Sequence, residues 1–164
     1  MKLLKSLAVT GIAFLCSQAV AVDGFQELKF GMTLDEVKKT KKCDWKKHKS
    51  IHSSYQCSNF TFFGEKTKYL TSYNSSGKLV QIQVIIPDIK LKEVMEGLPK
   101  KYKISTPYTE KIEKGNKQIS VKFDDDTLEL RVTHQGESEF NYTALLIYSD
   151  KNYLLSLDEK KRKG

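Results

Sequence analysis

The first 21 residues decide where the rest of the chain must fold. Met1 to Ala21 opens with Lys2 and Lys5, continues in an apolar run from Leu7 to Cys16 interrupted by Thr10 and Gly11, and closes on Ser17-Gln18-Ala19-Val20-Ala21. A basic start, a short apolar stretch and small residues before a cut mark a secretory signal peptide. The run is about ten residues, half of the roughly 20 that a membrane-spanning helix needs. Cleavage near Ala21 gives a mature chain that starts at Val22 and folds in an oxidising place, the bacterial periplasm or the exterior. The rival reading, a lipidated Cys16, is disfavoured by the bulky Leu15 before it.

Losing the leader leaves two of the three cysteines, Cys43 and Cys57. An even pair in an exported chain reads as a disulfide, and closing a loop of this length contributes on the order of 3 kcal/mol by restricting the unfolded chain. The spacing is neither C-x-x-C nor a zinc pattern, which argues against a redox pair or a metal site.

Charge is unevenly spread. The 28 Lys and Arg against 20 Asp and Glu give +8, and loss of Lys2 and Lys5 with the leader leaves +6. Lys38, Lys39, Lys41, Lys42, Lys46, Lys47 and Lys49 crowd one short stretch. Such a field attracts an acidic protein or an anionic envelope surface, and export excludes nucleic acid as the natural partner.

Periodicity divides the mature chain in two. Phe25 to Phe30 is a short extended lead, and Thr33 with Glu36 predicts a capping box opening a helix that runs to about Lys42, with Met32 and Val37 as its hydrophobic staple. The period then changes to two over Ile51 to Cys57, Asn59 to Phe63, Thr67 to Asn74 and Lys78 to Ile86, with Ser75-Ser76-Gly77 as a turn. Leu91, Val94, Met95 and Leu98 predict a second helix from Asp88, ended or kinked at Pro99. Further strands follow at Gln118 to Phe123, Thr127 to His134 and Asn141 to Ser149, separated by Asp124-Asp125-Asp126 and Gln135-Gly136-Glu137. The expected fold class is therefore α+β, one or two helix-then-antiparallel-sheet modules with the helices packed on one sheet face. Residues 22–87 form the first module with the disulfide, residues 88–157 a second half continuous with it, and residues 158–164 a basic tail.

Catalytic patterns are missing. His48 and His52 are four apart but fall at a strand, without the Glu of a zinc-hydrolase motif, and His134 stands alone. Asp124-Asp125-Asp126 lacks the Gly and distal Glu of a calcium loop and reads as an acidic hairpin turn. The nine glycines make no phosphate-binding pattern. These residues predict no enzyme, no cofactor and no bound metal. Asn59, Asn74 and Asn141 begin Asn-x-Ser/Thr sequons, which matter only in a eukaryotic secretory route.

From Phe25 to Val37, with Cys43 and Cys57 after it, the sequence resembles the β-lactamase inhibitory protein family, whose modules begin with an aromatic-rich strand, a Gly-Met-Thr helix start and a Cys pair before an antiparallel sheet. Gly31-Met32-Thr33 is also similar to the start of the small lipoprotein subunit of the outer-membrane protein assembly machinery. The resemblance implies an α+β scaffold that binds other proteins with its sheet and loops. The second half, from Asp88, has neither that start nor a Cys, so no inhibitory residue is carried over.

The candidate partner-binding residues are Trp45, Lys46, Lys47, His48 and Lys49, an aromatic among cations inside the disulfide loop. The alternative has Trp45 capping the core beneath a solvated Lys face. Two functions from different classes fit. One is an exported periplasmic protein-binding module, an inhibitor or immunity protein acting on another envelope protein. The other is a cell-envelope structural or assembly factor that holds anionic lipid or cell-wall polymer, with no transmembrane segment in the mature chain.

Overall fold

The computed structural model describes residues 21–40, 43–136 and 141–163. All of the expected leader but Ala21, Cys16 included, the expected helix end at Lys42 and the turn residue Glu137 lie outside them. A small hairpin of β1 (Gly24–Phe25) and β2 (Leu28–Lys29) comes first, then α1 (Leu34–Thr40). The strands β3 (Trp45–Lys47), β4 (Ser54–Phe62), β5 (Glu65–Tyr73) and β6 (Leu79–Ile85) follow. Next come α2 (Asp88–Lys101), β7 (Ile104–Glu113), β8 (Asn116–Phe123), β9 (Leu128–His134), β10 (Tyr142–Ser149) and α3 (Lys151–Lys163).

The expected fold class needs correction. Strands from both halves form one eight-stranded antiparallel sheet in the order β3-β4-β5-β6-β10-β9-β8-β7. The described residues are 47% strand and 25% helix, mostly β, and separate helix-then-sheet modules are not evident. Two physical reasons account for the difference. The seam is a pairing of β6 with β10, Leu146 opposite Val84 and Tyr148 opposite Ile82, which no local pattern announces. The helices are also unequal: α1 buries only Val37, α2 buries Val94 and Leu98, and α3 buries nothing.

Register explains the core. Residues opposite one another on neighbouring strands share a face. One row therefore runs Trp45, Cys57, Tyr69, Val84, Leu146, Leu130 and Val121 across seven strands. All seven belong to, or pack against, the same apolar cluster as Val37, Val94 and Leu98, so α1 and α2 cover this face. The two expected runs around Ser58 are a single strand, β4, with a bulge between Cys57 and Phe60. The extra residue resets the alternation, which is how Cys57, Phe60 and Phe62 all reach the core.

Several local differences have equally local causes. The strand β7 is almost wholly exposed and rich in charge, because an edge strand with one neighbour needs little apolar character and tolerates Pro107. The helix α2 runs on through Pro99, whose missing N–H costs a bond only to the carbonyl of solvent-facing Met95. Residues 158–163 are the last turns of α3. That helix starts where the Tyr153 N–H donates to Asp150 Oδ1 at 2.9 Å, and it ends in Lys160, Lys161, Arg162 and Lys163, cations suited to the negative end of the dipole. In the β1–β2 hairpin a Cβ at Gly24 would collide with the Leu28 carbonyl oxygen, so only glycine fits.

The capping box forms as its residues predict. Glu36 Oε2 accepts from the Thr33 N–H at 2.7 Å and the Thr33 hydroxyl at 2.8 Å, while the Glu36 N–H donates back to Thr33 Oγ1 at 3.3 Å. The backbone N–H and then the hydroxyl of Thr33 hold the Glu36 carboxyl below its usual range. With its folded pKa lowered, the box is intact above the ordinary Glu value and weakens as pH falls through the folded value. Thr33→Ala is expected to lower stability by about 1 kcal/mol in urea unfolding at neutral pH. An unchanged midpoint would mean that the cap carries no stability.

Candidate binding face

The short edge strand β3 turns its residues alternately to the two faces of the sheet. Trp45 and Lys47 take the core side opposite Cys57 and Tyr55, and Lys46 takes the other side opposite Gln56. The Trp45 ring meets the Tyr69 ring edge to face, with centroids 5.4 Å apart, and Tyr69 in turn meets Phe60 at 4.9 Å. Trp45 is thus the half-buried end of an aromatic stack that closes the core at the sheet edge. Burial first, then Tyr73 and Glu27, push the Tyr69 phenol up, so it stays protonated.

The disulfide pins this edge. Cys43 and Cys57 are bonded, with Cα atoms 5.7 Å apart, and the Asp44 N–H donates to Asn59 Oδ1 at 2.9 Å just beyond. A short edge strand holds few ladder bonds of its own, so the covalent link and the Trp45 stack keep β3 on the sheet.

The predicted basic residues do not form one cluster. Lys46, Lys47 and Lys49 are exposed, on opposite faces and on the turn. His48 is structural: its N–H donates to the Ser54 carbonyl at 2.8 Å, and its Nδ1 accepts the N–H groups of Ser50 at 3.3 Å and Ile51 at 3.1 Å. That capping folds the turn between β3 and β4 over the face opposite the core.

There it meets a second row, made of Lys46, Gln56, Leu70, Gln83 and Ile147 across β3 to β6 and β10. Lys46, Lys68 and Ile85 are exposed and Gln56, Leu70, Gln83 and Leu145 are half-buried, so this part of the sheet is open. A cavity of about 170 Å³ lies under the turn, between His48, Ile51, Leu70, Gln83, Ile85 and Leu145. Hydroxyls and amides beside it are already satisfied within the sheet. Ser54 Oγ lies 2.9 Å from Ser72 Oγ, Gln83 Nε2 donates to Gln81 Oε1 at 2.7 Å, and Gln81 Nε2 donates to Ser149 Oγ at 3.1 Å. Among the described residues no carboxylate lies within ion-pair distance of Lys46, Lys66 or Lys68. The face therefore combines an apolar patch at Ile51 and Ile85 with unneutralised positive charge.

Sequence reasoning on the disulfide loop reached Ile51 but missed Lys66, Lys68, Leu70 and Ile85. The alternation of Gln81, Gln83 and Ile85 against Ile82, Val84 and Ile86 was the signal that could have found the face.

The acidic turn is used internally. Asp126 Oδ1 accepts from Ser105 Oγ at 2.6 Å and Thr106 Oγ1 at 2.8 Å, and its Oδ2 is 3.2 Å from Lys122 Nζ. Partial desolvation raises its pKa, but the hydroxyls of Ser105 and Thr106 and the Lys122 ammonium outweigh that and hold the carboxyl below its usual range. Asp125 pairs with Lys151 at 2.8 Å, and Asp124 Oδ1 accepts the Lys103 N–H at 2.9 Å. All three take left-handed φ values of 45°, 55° and 64°, which Asp tolerates better than most residues. His52 is exposed at the turn and His134 packs 5.8 Å from the Tyr142 ring, and no group of three or more His, Cys, Asp or Glu among the described residues could hold a metal ion.

Trp45→Ala is expected to cost about 2 kcal/mol in urea unfolding, the loss of a half-buried aromatic, while Lys46→Glu stays within about 0.5 kcal/mol of the parent. Equal, negligible effects would remove Trp45 from the core.

A family model described as "Uncharacterised protein" matches residues 25–164. A Haemophilus influenzae protein with the same description is 32% identical over 164 residues, covering 98% of this chain and 95% of that protein. No solved structure matches. No helix among the described residues is long and apolar enough to cross a membrane.

Proposed function

The chain belongs to the family matched over residues 25–164, and on that premise we propose that it is an exported periplasmic protein-binding module that inhibits or neutralises another envelope protein. The observation that carries this reading is the open part of the sheet, where exposed Ile51 and Ile85 are flanked by Lys46, Lys66 and Lys68, which have no ion-pair partner among the described residues. An apolar centre with a charged rim is the usual anatomy of a protein contact. The rigid sheet behind it means that little conformational freedom is lost on binding. The sign of the rim specifies an acidic partner, and its charges set the rate of encounter more than the final affinity.

Export is supported by the basic, apolar and small-residue segments of Met1 to Ala21 and by the disulfide, since such bonds persist in oxidising compartments. The family model begins just after that leader. The resemblance of Phe25 to Val37 to inhibitor modules agrees with a binding rather than a chemical role. Trp45 is replaced as the expected anchor by Ile85 and Ile51, because its ring is held against Tyr69.

A second reading, attachment to anionic lipid or cell-wall polymer, is favoured by one feature. The helix α3 exposes Leu155 and ends in four consecutive cations, Lys160 to Lys163.

The two readings separate in a crosslinking capture from envelope extract, using the mature chain from Val22 with its disulfide intact. The binding-module reading expects one protein in stoichiometric yield, weakened about tenfold or more by Ile85→Asp and by paired Lys46→Glu and Lys68→Glu, and kept by Trp45→Phe. Capture that is indifferent to Ile85→Asp, or that recovers only lipid and fades between about 0.1 and 1 M salt, would replace it with the anionic-surface reading.

A further inference from the structure

On the other side of the sheet from the proposed contact face, α2 does not close tightly over the core. Its residues Glu93, Gly97 and Lys101, and Val94 and Leu98 beside them, repeat at four-residue spacing and so share one face of the helix. Between that face, the β1–β2 hairpin and the sheet lies a cavity of about 540 Å³. This is within the range of pockets that take small ligands. Its walls are mainly apolar, made by Phe25, Phe62, Val94, Leu98, Leu146 and Tyr148, with Gln26 and Thr61 also in the lining. The aromatic walls pack on one another, with the Phe25 ring 4.9 Å from Tyr148 and 6.3 Å from Phe62.

Two features lie at the mouth. Gly97 stands in the helix interior, where glycine is unfavourable by about 1 kcal/mol relative to alanine. A Cβ added there would meet nothing within 4 Å, so packing does not require the glycine, and only a large side chain at this position would stand in the opening. Lys101 lines the same opening with its ammonium 5.1 Å from the Tyr102 ring centroid. Glu93, the one carboxylate among the described lining residues, is paired with Lys90 at 3.3 Å, and Lys101 is the lining cation that faces an incoming anion. Phe63 stands beside the opening, 51% exposed and with a left-handed φ of 50°, an exposed aromatic edge against Phe62.

We propose that this cavity binds a long-chain carboxylate, a fatty acid whose alkyl chain lies between α2 and Phe25, Phe62 and Leu146 while its carboxylate meets Lys101 at the mouth. The apolar walls supply the affinity through the area removed from water. The cation selects an acid over a neutral alcohol of equal length.

The test is titration of the intact mature chain with cis-parinaric acid, a fluorescent fatty acid, followed by displacement with palmitate and with hexadecanol. Saturable binding is expected, displaced by palmitate and about threefold less well by the alcohol. Gly97→Phe, which places a ring at the opening, is expected to abolish binding, and Lys101→Glu to weaken it about tenfold. Gly97→Ala checks the helix itself and is expected to unfold at a higher temperature than the parent. Amide shift changes on adding palmitate should centre on Val94, Gly97 and Leu146. Absence of saturable binding, binding untouched in folded Gly97→Phe, shift changes confined to the Ile85 face, or equal displacement by acid and alcohol would each overturn the proposal.

Discussion

The pairing of β6 with β10 is the interaction on which the rest of the structure depends. It joins Gln81–Ile85, at the end of the first half, to Leu145–Ser149, at the end of the second. Forming it closes a long loop, an entropic cost that grows slowly with loop length and is met here by continuous side-chain rows. Val84 and Leu146 sit at the centre of the core row, with the aromatic stack of Trp45, Tyr69 and Phe60 to one side and Leu130 and Val121 to the other. Without that seam each half is a four-stranded sheet with an open edge of strongly apolar sequence, which is an invitation to aggregate.

The same seam separates two surfaces of different chemistry. Along β10 the odd and even residues point to opposite sides, so Leu146 lines the cavity beneath α2 while Leu145 lines the smaller hollow under the His48 turn. A side chain on one surface is thus one residue away from a side chain on the other, and β10 contributes to both. Charge follows the division. Among the described residues Lys101 is the cation that lines the mouth of the cavity, whereas Lys46, Lys66 and Lys68 border the open sheet.

Much of this was legible in the sequence where a short-range physical rule governs it. The capping box at Thr33 and Glu36, the bond between Cys43 and Cys57, and the alternating faces of Leu79 to Ile86 each follow from a few neighbouring residues. What could not be read depends on partners far along the chain. The edge strand β7 looks like loop because its exposed, charged residues need only β8 beside them, and the seam carries no sequence mark because any apolar strand could have met β6. The candidate site shifted for a similar reason. Trp45 in a basic loop suggests either an exposed anchor or a cap on the core, and its register opposite Cys57 and contact with Tyr69 agree with the cap, leaving Ile51 and Ile85 on the other face.

Hydrogen exchange resolved by residue tests the single-sheet account most directly. If the seam holds the two halves together, the amides of Ile82 to Val84 and Leu146 to Tyr148 exchange among the slowest in the protein and open only with global unfolding. Seam amides that exchange as fast as those of exposed β7, while each half keeps a slow core of its own, would contradict one continuous sheet and return the chain to two separately stable units.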